Sequence, residues 1–270
     1  MAAANDESAA RAREHLRGLV GAAEALGCYT VVPKHFRVLQ RLADHGVFAA
    51  GAIVVGTHAF LGYQNLLGVR WADAGSTVDL DFADPGRNVS LALAPDARVD
   101  AHSAVDSLRM GFVPVKQGTR YVKPDEPDFD LDWLTVRTRQ GDAPVRCEAL
   151  NVWLQPLRFM ELSLEAPVPA ALMSSSAAVV VNLPRPEVYA VHKLLVLTER
   201  SDDQASKARK DLAQAAALLA CFVERDPDAL REVLHATRER GPAWRSGLDK
   251  GLRRLRGPYA DVHRAIEALA

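Results

Sequence analysis

The feature that most constrains this chain is a change of periodicity between residues 51 and 82. Gly51-Ala52-Ile53-Val54-Val55-Gly56 is a short apolar run closed by glycine, which predicts a buried strand. Ala59, Phe60, Tyr63, Leu66 and Leu67 then recur at helical spacing, with Thr57 as the expected N-cap. After a polar turn over residues 72–77, Val78-Asp79-Leu80-Asp81-Phe82 alternates strictly and predicts a half-buried strand. Strand period two puts Asp79 and Asp81 on one face and turns Val78, Leu80 and Phe82 into the core.

That order carries chemistry. Two carboxylates side by side repel each other unless a cation lies between them, and hard oxygen donors suit Mg²⁺ (or Mn²⁺). Gly56 lets a phosphate approach the backbone closely, while the Thr57 hydroxyl and the following amides offer donors at the positive end of a helix. A metal site beside an anion cradle is what metal-assisted transfer of a phosphate group needs. A third carboxylate is expected from a neighbouring strand, and residues 128–136 offer Asp130 and Asp132 on one face. Asp132 is preferred because Trp133-Leu134-Thr135-Val136 continue a good strand; Asp130 is held in reserve. Each piece alone has a plainer reading: a solvated strand face, a simple turn, an acidic loop over residues 125–132. Their conjunction in order is harder to dismiss.

The second half turns helical, over residues 187–200, 203–224, 227–239 and 242–268. Lys193 and Arg200 are seven apart and are expected on one polar stripe, with Val188, Tyr189, Val191, Leu194 and Leu195 facing the core. Lys207, Lys210, Asp211 and Gln214 follow at helical spacing. A cationic stripe facing three carboxylates suits a triphosphate; the plainer reading is surface charge, with Lys207 and Asp211 as an i,i+4 pair. His58 is a candidate nucleotide contact, whereas His192 reads as a packed residue. Residues 250–256 are strongly basic and could track an RNA backbone, but only Trp244 and Tyr259 are nearby for stacking, which favours a solvated helix face.

Composition excludes several classes. Lys plus Arg (33) and Asp plus Glu (34) nearly cancel to a net charge of -1, which argues against wholesale coating of nucleic acid. Cys28, Cys147 and Cys221 are scattered, without Cys-x-x-Cys spacing, so neither a disulfide framework nor a thiolate zinc site is expected. The first residues place acids before any apolar run, unlike a signal peptide, and no apolar stretch has membrane-spanning length. A cytoplasmic protein with no membrane contact is the expectation. No Walker A, G-x-G-x-x-G or H-E-x-x-H sequence occurs. Residues 8–45 read as helices broken at Pro33, and strand-like pieces occur at 90–93, 121–122, 131–136 and 149–154. Helices, a mixed core and helices again predict an α+β fold, divided at 1–47, 48–182 and 183–270.

With these residues in order, the chain resembles the nucleotidyltransferase superfamily with the polymerase-β-like fold, nearest to bacterial proteins related to abortive-infection toxin nucleotidyltransferases. The resemblance rests on AIVVGTHAFLGYQNLLG, TVDLDFA and FDLDWLTV, and on a later block, LPRPEVYAVHKLLVLTERSDDQASKARKDLAQAAALL. It implies that Asp79 and Asp81 bind metal, that Asp132 is the third ligand beside the acceptor, and that Gly56 and Thr57 hold the nucleotide phosphates. Lys193 matches the helical lysine expected at the triphosphate, with Arg200 beside it, and Asp211 matches the later acid. Thr57 stands where serine or glycine is usual. The implied reaction moves a nucleoside monophosphate from an NTP to an acceptor hydroxyl: an RNA 3′ end, a protein side chain or a small molecule. An antitoxin partner or a homo-oligomer would fit the group. A fold that has lost turnover and binds nucleotide or RNA is the alternative. An Asp-x-Asp glycosyltransferase is disfavoured, because too little chain precedes Asp79 for a nucleotide-sugar domain.

Overall fold

The computed structural model describes residues 2–71, 79–85, 99–139 and 141–269. The expected turn over 72–77, the inward-facing Val78 and the strand-like piece at 90–93 lie outside the described residues. Ala2–Ala25 forms helix α1 and Pro33–Asp44 forms α2. Pro33 begins α2, where its missing N–H removes no helical bond, so the expected break is a helix start. Phe36, Val38, Leu39 and Leu42 bury one face of that helix.

The described strands are β1 (Ile53–Val54), β2 (Leu80–Ala83), β3 (Val113–Val115), β4 (Arg120–Val122), β5 (Asp130–Val136), β6 (Val145–Cys147), β7 (Val152–Leu157), β8 (Val168–Met173) and β9 (Ala178–Leu183). They form one mixed sheet along the path β3-β4-β5-β2-β1-β9-β8, with β7 also paired to β5 and β6 to β7. Helix α3 (Gly56–Leu67) follows β1, and α4 (Ala101–Ser107) and α5 (Met160–Leu164) are short insertions. The alternation read at 78–82 holds where it is described: Leu80 and Phe82 are fully buried, and the Phe82 ring stacks on Trp133 at 5.0 Å. β2 and β5 run parallel in a register that sets Asp81 opposite Asp132 and Phe82 opposite Trp133. The strand expected at 149–154 begins later, at Val152, because Asn151 has a left-handed φ of 55° that ends a turn.

Five helices complete the chain: α6 (Pro186–Val196), α7 (Ala205–Arg225), α8 (Pro227–Glu239), α9 (Pro242–Leu255) and α10 (Ala260–Leu269). The single helix expected over 242–268 is two, since Pro258 cannot continue α9. α6 corrects a second expectation. It stops at Val196, Arg200 is extended with ψ 132°, and Pro186 through Leu195 are all buried, so there is no polar stripe from 193 to 200. α6 packs against α7, α8 and α9 instead. Gly251 permits a close crossing of α9 on α6; a Cβ there would lie 2.8 Å from Leu194 Cβ. The apolar core runs continuously from Val31 to Ile266. The architecture is mixed α/β, consistent with α+β. Among the described residues, no helix is long and apolar enough to cross a membrane.

Candidate active site

The site starts at the junction of β1 and α3. Gly56 takes φ +61°, a left-handed conformation that a residue with a Cβ adopts at a cost. The helix begins there with Val55 at the N-cap and no side-chain cap, so Thr57 sits inside the first turn rather than capping it. The first amides of α3 have no helical acceptors and no cap from Val55, and a helix start of this kind is suited to binding anions. Asp81 projects from β2 against this end of the helix. A Cβ on Gly56 would overlap Asp81 Oδ2 and lie 2.9 Å from its Cγ. Only glycine leaves room for that carboxylate.

Parallel pairing carries Asp132 to the same edge, opposite Asp81, and β4 brings Arg120 opposite Asp132. Arg120 bonds Asp130 and lies 3.9 Å from Asp132 Oδ1. Asp130 is buried under that guanidinium, 4% exposed, whereas Asp132 faces the cleft. Burial, then the charges of Asp79 and Asp132, push the Asp81 carboxyl up to about 7 against the pull of Lys193. Burial and Asp130 push Asp132 up to about 6 despite Arg120. Among the described residues, no group of three or more His, Cys, Asp or Glu side chains is placed so as to hold a metal ion. Arg120 is the cation paired with Asp130 and Asp132.

Helices α6 and α7, and Arg200 in the segment between them, supply further cations. Lys193 Nζ donates to Asp211 Oδ1 at 2.5 Å, and Arg200 Nε donates to Oδ2 at 3.1 Å. Burial alone would raise the Asp211 carboxyl, but Lys193 and Arg200 hold it below its ordinary value. Lys207, read as a partner for Asp211, lines the cleft instead, as does Lys210, whose ammonium is pushed down by burial. Tyr189 joins the two halves. Its hydroxyl donates to the Gly56 carbonyl oxygen at 2.8 Å, with Gln214 Oε1 3.0 Å away and Gln214 Nε2 3.5 Å from Thr57 Oγ1. His192 is packed as expected, its Nδ1 3.1 Å from the Phe159 carbonyl. His58 is buried at 2% exposure, its Nε2 3.1 Å from His35 Nδ1.

A cleft of about 400 Å³ collects these groups. Gly56, Thr57, Asp79, Asp81 and Asp132 line it together with Lys193, Arg200 and Asp211, whereas the reserve Asp130 and the candidate nucleotide contact His58 are buried and do not. Lys116 and Arg120 also line it and were missed. Lys116 lies in a turn where it and Gln117 take φ of 49° and 60°, and only Gly118 announces that turn in the sequence. Alanine at Gly56 combines an unfavourable φ with the overlap on Asp81, so Gly56→Ala is expected to destabilise the protein by about 1–3 kcal/mol. A urea titration checks this; an unshifted midpoint would mean the Asp81 seat is not as tight as described.

Neither a curated protein nor a solved structure matches the chain. A family model described as nucleotidyltransferase matches residues 34–238, from α2 into α8, and so takes in every side chain of the cleft described above. By that match over most of its length, the chain belongs to the nucleotidyltransferase family.

Proposed function

We propose that the protein transfers a nucleoside monophosphate from an NTP to an acceptor hydroxyl, releasing pyrophosphate, with Mg²⁺ or Mn²⁺ as its resident ion, on a polymerase-β-like core. The observation that carries this reading is the single cleft shared by the uncapped start of α3, the carboxylates of Asp79, Asp81 and Asp132, and the lysines of α6 and α7. The donor chemistry suits a hard divalent ion, and binding would have to draw the three side chains together. The donor set consists of carboxylate oxygens, and burial with neighbouring acids pushes the Asp81 and Asp132 carboxyls up to about 7 and about 6. Asp79, Asp81 and Asp132 would hold the ion. When bound, it would polarise phosphoryl oxygens and ease deprotonation of the acceptor.

The remaining work falls to the chain itself. The amides at Gly56 and Thr57 receive phosphate oxygens along the α3 dipole. Lys207 and Lys210 present positive charge to the triphosphate from α7, and Lys193 does so from its place beside Asp211. Tyr189 fixes the backbone of the phosphate turn through the Gly56 carbonyl. Asp132, on the side of Arg120 and Lys116, borders the acceptor.

Incubation with each α-labelled NTP, Mg²⁺ or Mn²⁺, and total cellular RNA and protein tests the reading. Label is expected on an acceptor, with pyrophosphate released in equal amount. Absence of both with every NTP would overturn it.

A further inference from the structure

Beside the cleft, and sharing Lys116 with it, lies a second compartment that phosphate transfer alone does not use. β6 and β7 pair so that Arg146 stands opposite Trp153. The Trp153 side chain is 36% exposed, and the Arg146 guanidinium lies 5.9 Å from its ring centroid. Arg146 is itself tethered by Asn151 and, at 3.6 Å, by Glu148. Arg146, Asn151 and Trp153, the turn Lys116–Gly118, and the bonded pair of His102 Nδ1 and Tyr121 hydroxyl (2.8 Å) border a cavity of about 440 Å³. Gly118 takes φ +87°, and a Cβ there would make ordinary contact with Trp153 Cδ1 at 3.6 Å, so the turn lies against the indole.

Two observations tie this compartment to the cleft. Lys116 lines both cavities. Trp153, Gln155 and Leu157 alternate along one face of β7, and the last two line the cleft while the first lines the compartment. The connection is on the Asp132 side, because Arg120, two residues beyond the Lys116–Gly118 turn, pairs with Asp132 across β4 and β5. Among the described residues no carboxylate lines the compartment, whereas Lys116 and Arg146 do, with the amides of Gln117 and Asn151. A planar aromatic platform, fixed cations and amide groups suit a base carrying a phosphate.

We propose that this compartment seats the terminal nucleobase of the acceptor, and that the acceptor is the 3′ end of a single-stranded polynucleotide. The base stacks on Trp153, and the adjoining phosphate meets Lys116. The inference rests on the proposed transfer beside Asp132. In that reaction the 3′ oxygen forms the new bond to the α-phosphorus. The bond from that phosphorus to the bridging oxygen breaks, pyrophosphate leaves with the electron pair, and the hydroxyl proton passes to solvent.

The test uses the full chain and short single-stranded RNA and DNA oligonucleotides labelled with fluorescein at the 5′ end, followed by anisotropy without NTP or metal. Wild type is expected to bind at least one strand type, and the tighter of the two identifies the sugar. Trp153→Ala is expected to weaken binding about 10-fold at an unchanged melting midpoint, and Trp153→Phe to retain most of it. Equal affinity of Trp153→Ala and wild type, or no binding of either strand by wild type, would overturn the inference. So would α-label recovered on protein or on a small molecule. Trp153-dependent strand binding without pyrophosphate release from any NTP would instead keep the strand site and remove the transfer reading.

Discussion

Asp81→Asn is expected to lower pyrophosphate release by about 10³-fold or more while leaving the fold as stable as before, or more so. The side chain keeps its shape, so it still fits the space that Gly56 leaves at the start of α3. What it loses is charge. Asp81 has an ordinary value of 3.8 and is held at about 7 in the folded protein, by burial first and then by Asp79 and Asp132. Between those values the folded state binds more protons than the unfolded chain, so this group makes stability fall as pH rises across the window. Asparagine removes that slope. The melting midpoint of the variant should draw ahead of wild type as pH is raised from about 4 to about 7 and hold its lead above that. Midpoints across that range, with a pyrophosphate assay at neutral pH, check both halves. Wild-type turnover in the variant would remove Asp81 from the reaction; a midpoint well below wild type at pH about 8 would mean its charge is compensated in the fold.

The part of this site that was legible in the sequence is the part written in local periodicity. The apolar run into Gly56 and the alternation around Asp79 and Asp81 depend on nearest neighbours, and the strand and helix that hold them follow directly. The choice between Asp130 and Asp132 was less legible, since both lie on one face of β5. Their difference comes from Arg120 on another strand, which covers Asp130 more fully. Lys193 and Arg200 show how spacing misleads. The seven-residue interval suggests a shared stripe, yet α6 is apolar on nearly every side and ends before Arg200. That all-round apolar character was itself a signal of burial. The two cations still meet, through Asp211 on α7, a partner that periodicity cannot supply. The β8–β9 hairpin was missed because Pro169 interrupts one strand pattern and Val180, 68% exposed, breaks the usual link between apolar character and burial in the other.

Asp211→Ala is expected to be among the most destabilising polar substitutions in this chain, at about 3–5 kcal/mol. The Lys193 and Asp211 side chains are 10% and 5% exposed, and removal of the acid would leave the lysine buried without its counter-charge. Arg200, at 27%, has a route to solvent and suffers less. The sign of the pH dependence follows from Asp211 being held below its ordinary carboxylate value: its contribution is present above about pH 4 and fades as pH falls through the folded-state value. The deficit of the variant should therefore shrink in acid. A second variant separates the two uses of Lys193. Lys193→Met combined with Asp211→Leu removes both charges and fills the space with apolar atoms, and is expected to recover most of the lost stability. It should not recover turnover, because the positive charge that Lys193 places beside Asp81 and the cleft is gone. Urea midpoints for the single and double variants, with kcat and KM for NTP, distinguish the cases. A double variant with wild-type kinetics would make the Lys193–Asp211 pair a fastener between α6 and α7 alone, and would leave Lys207 and Lys210 as the cations that meet the nucleotide.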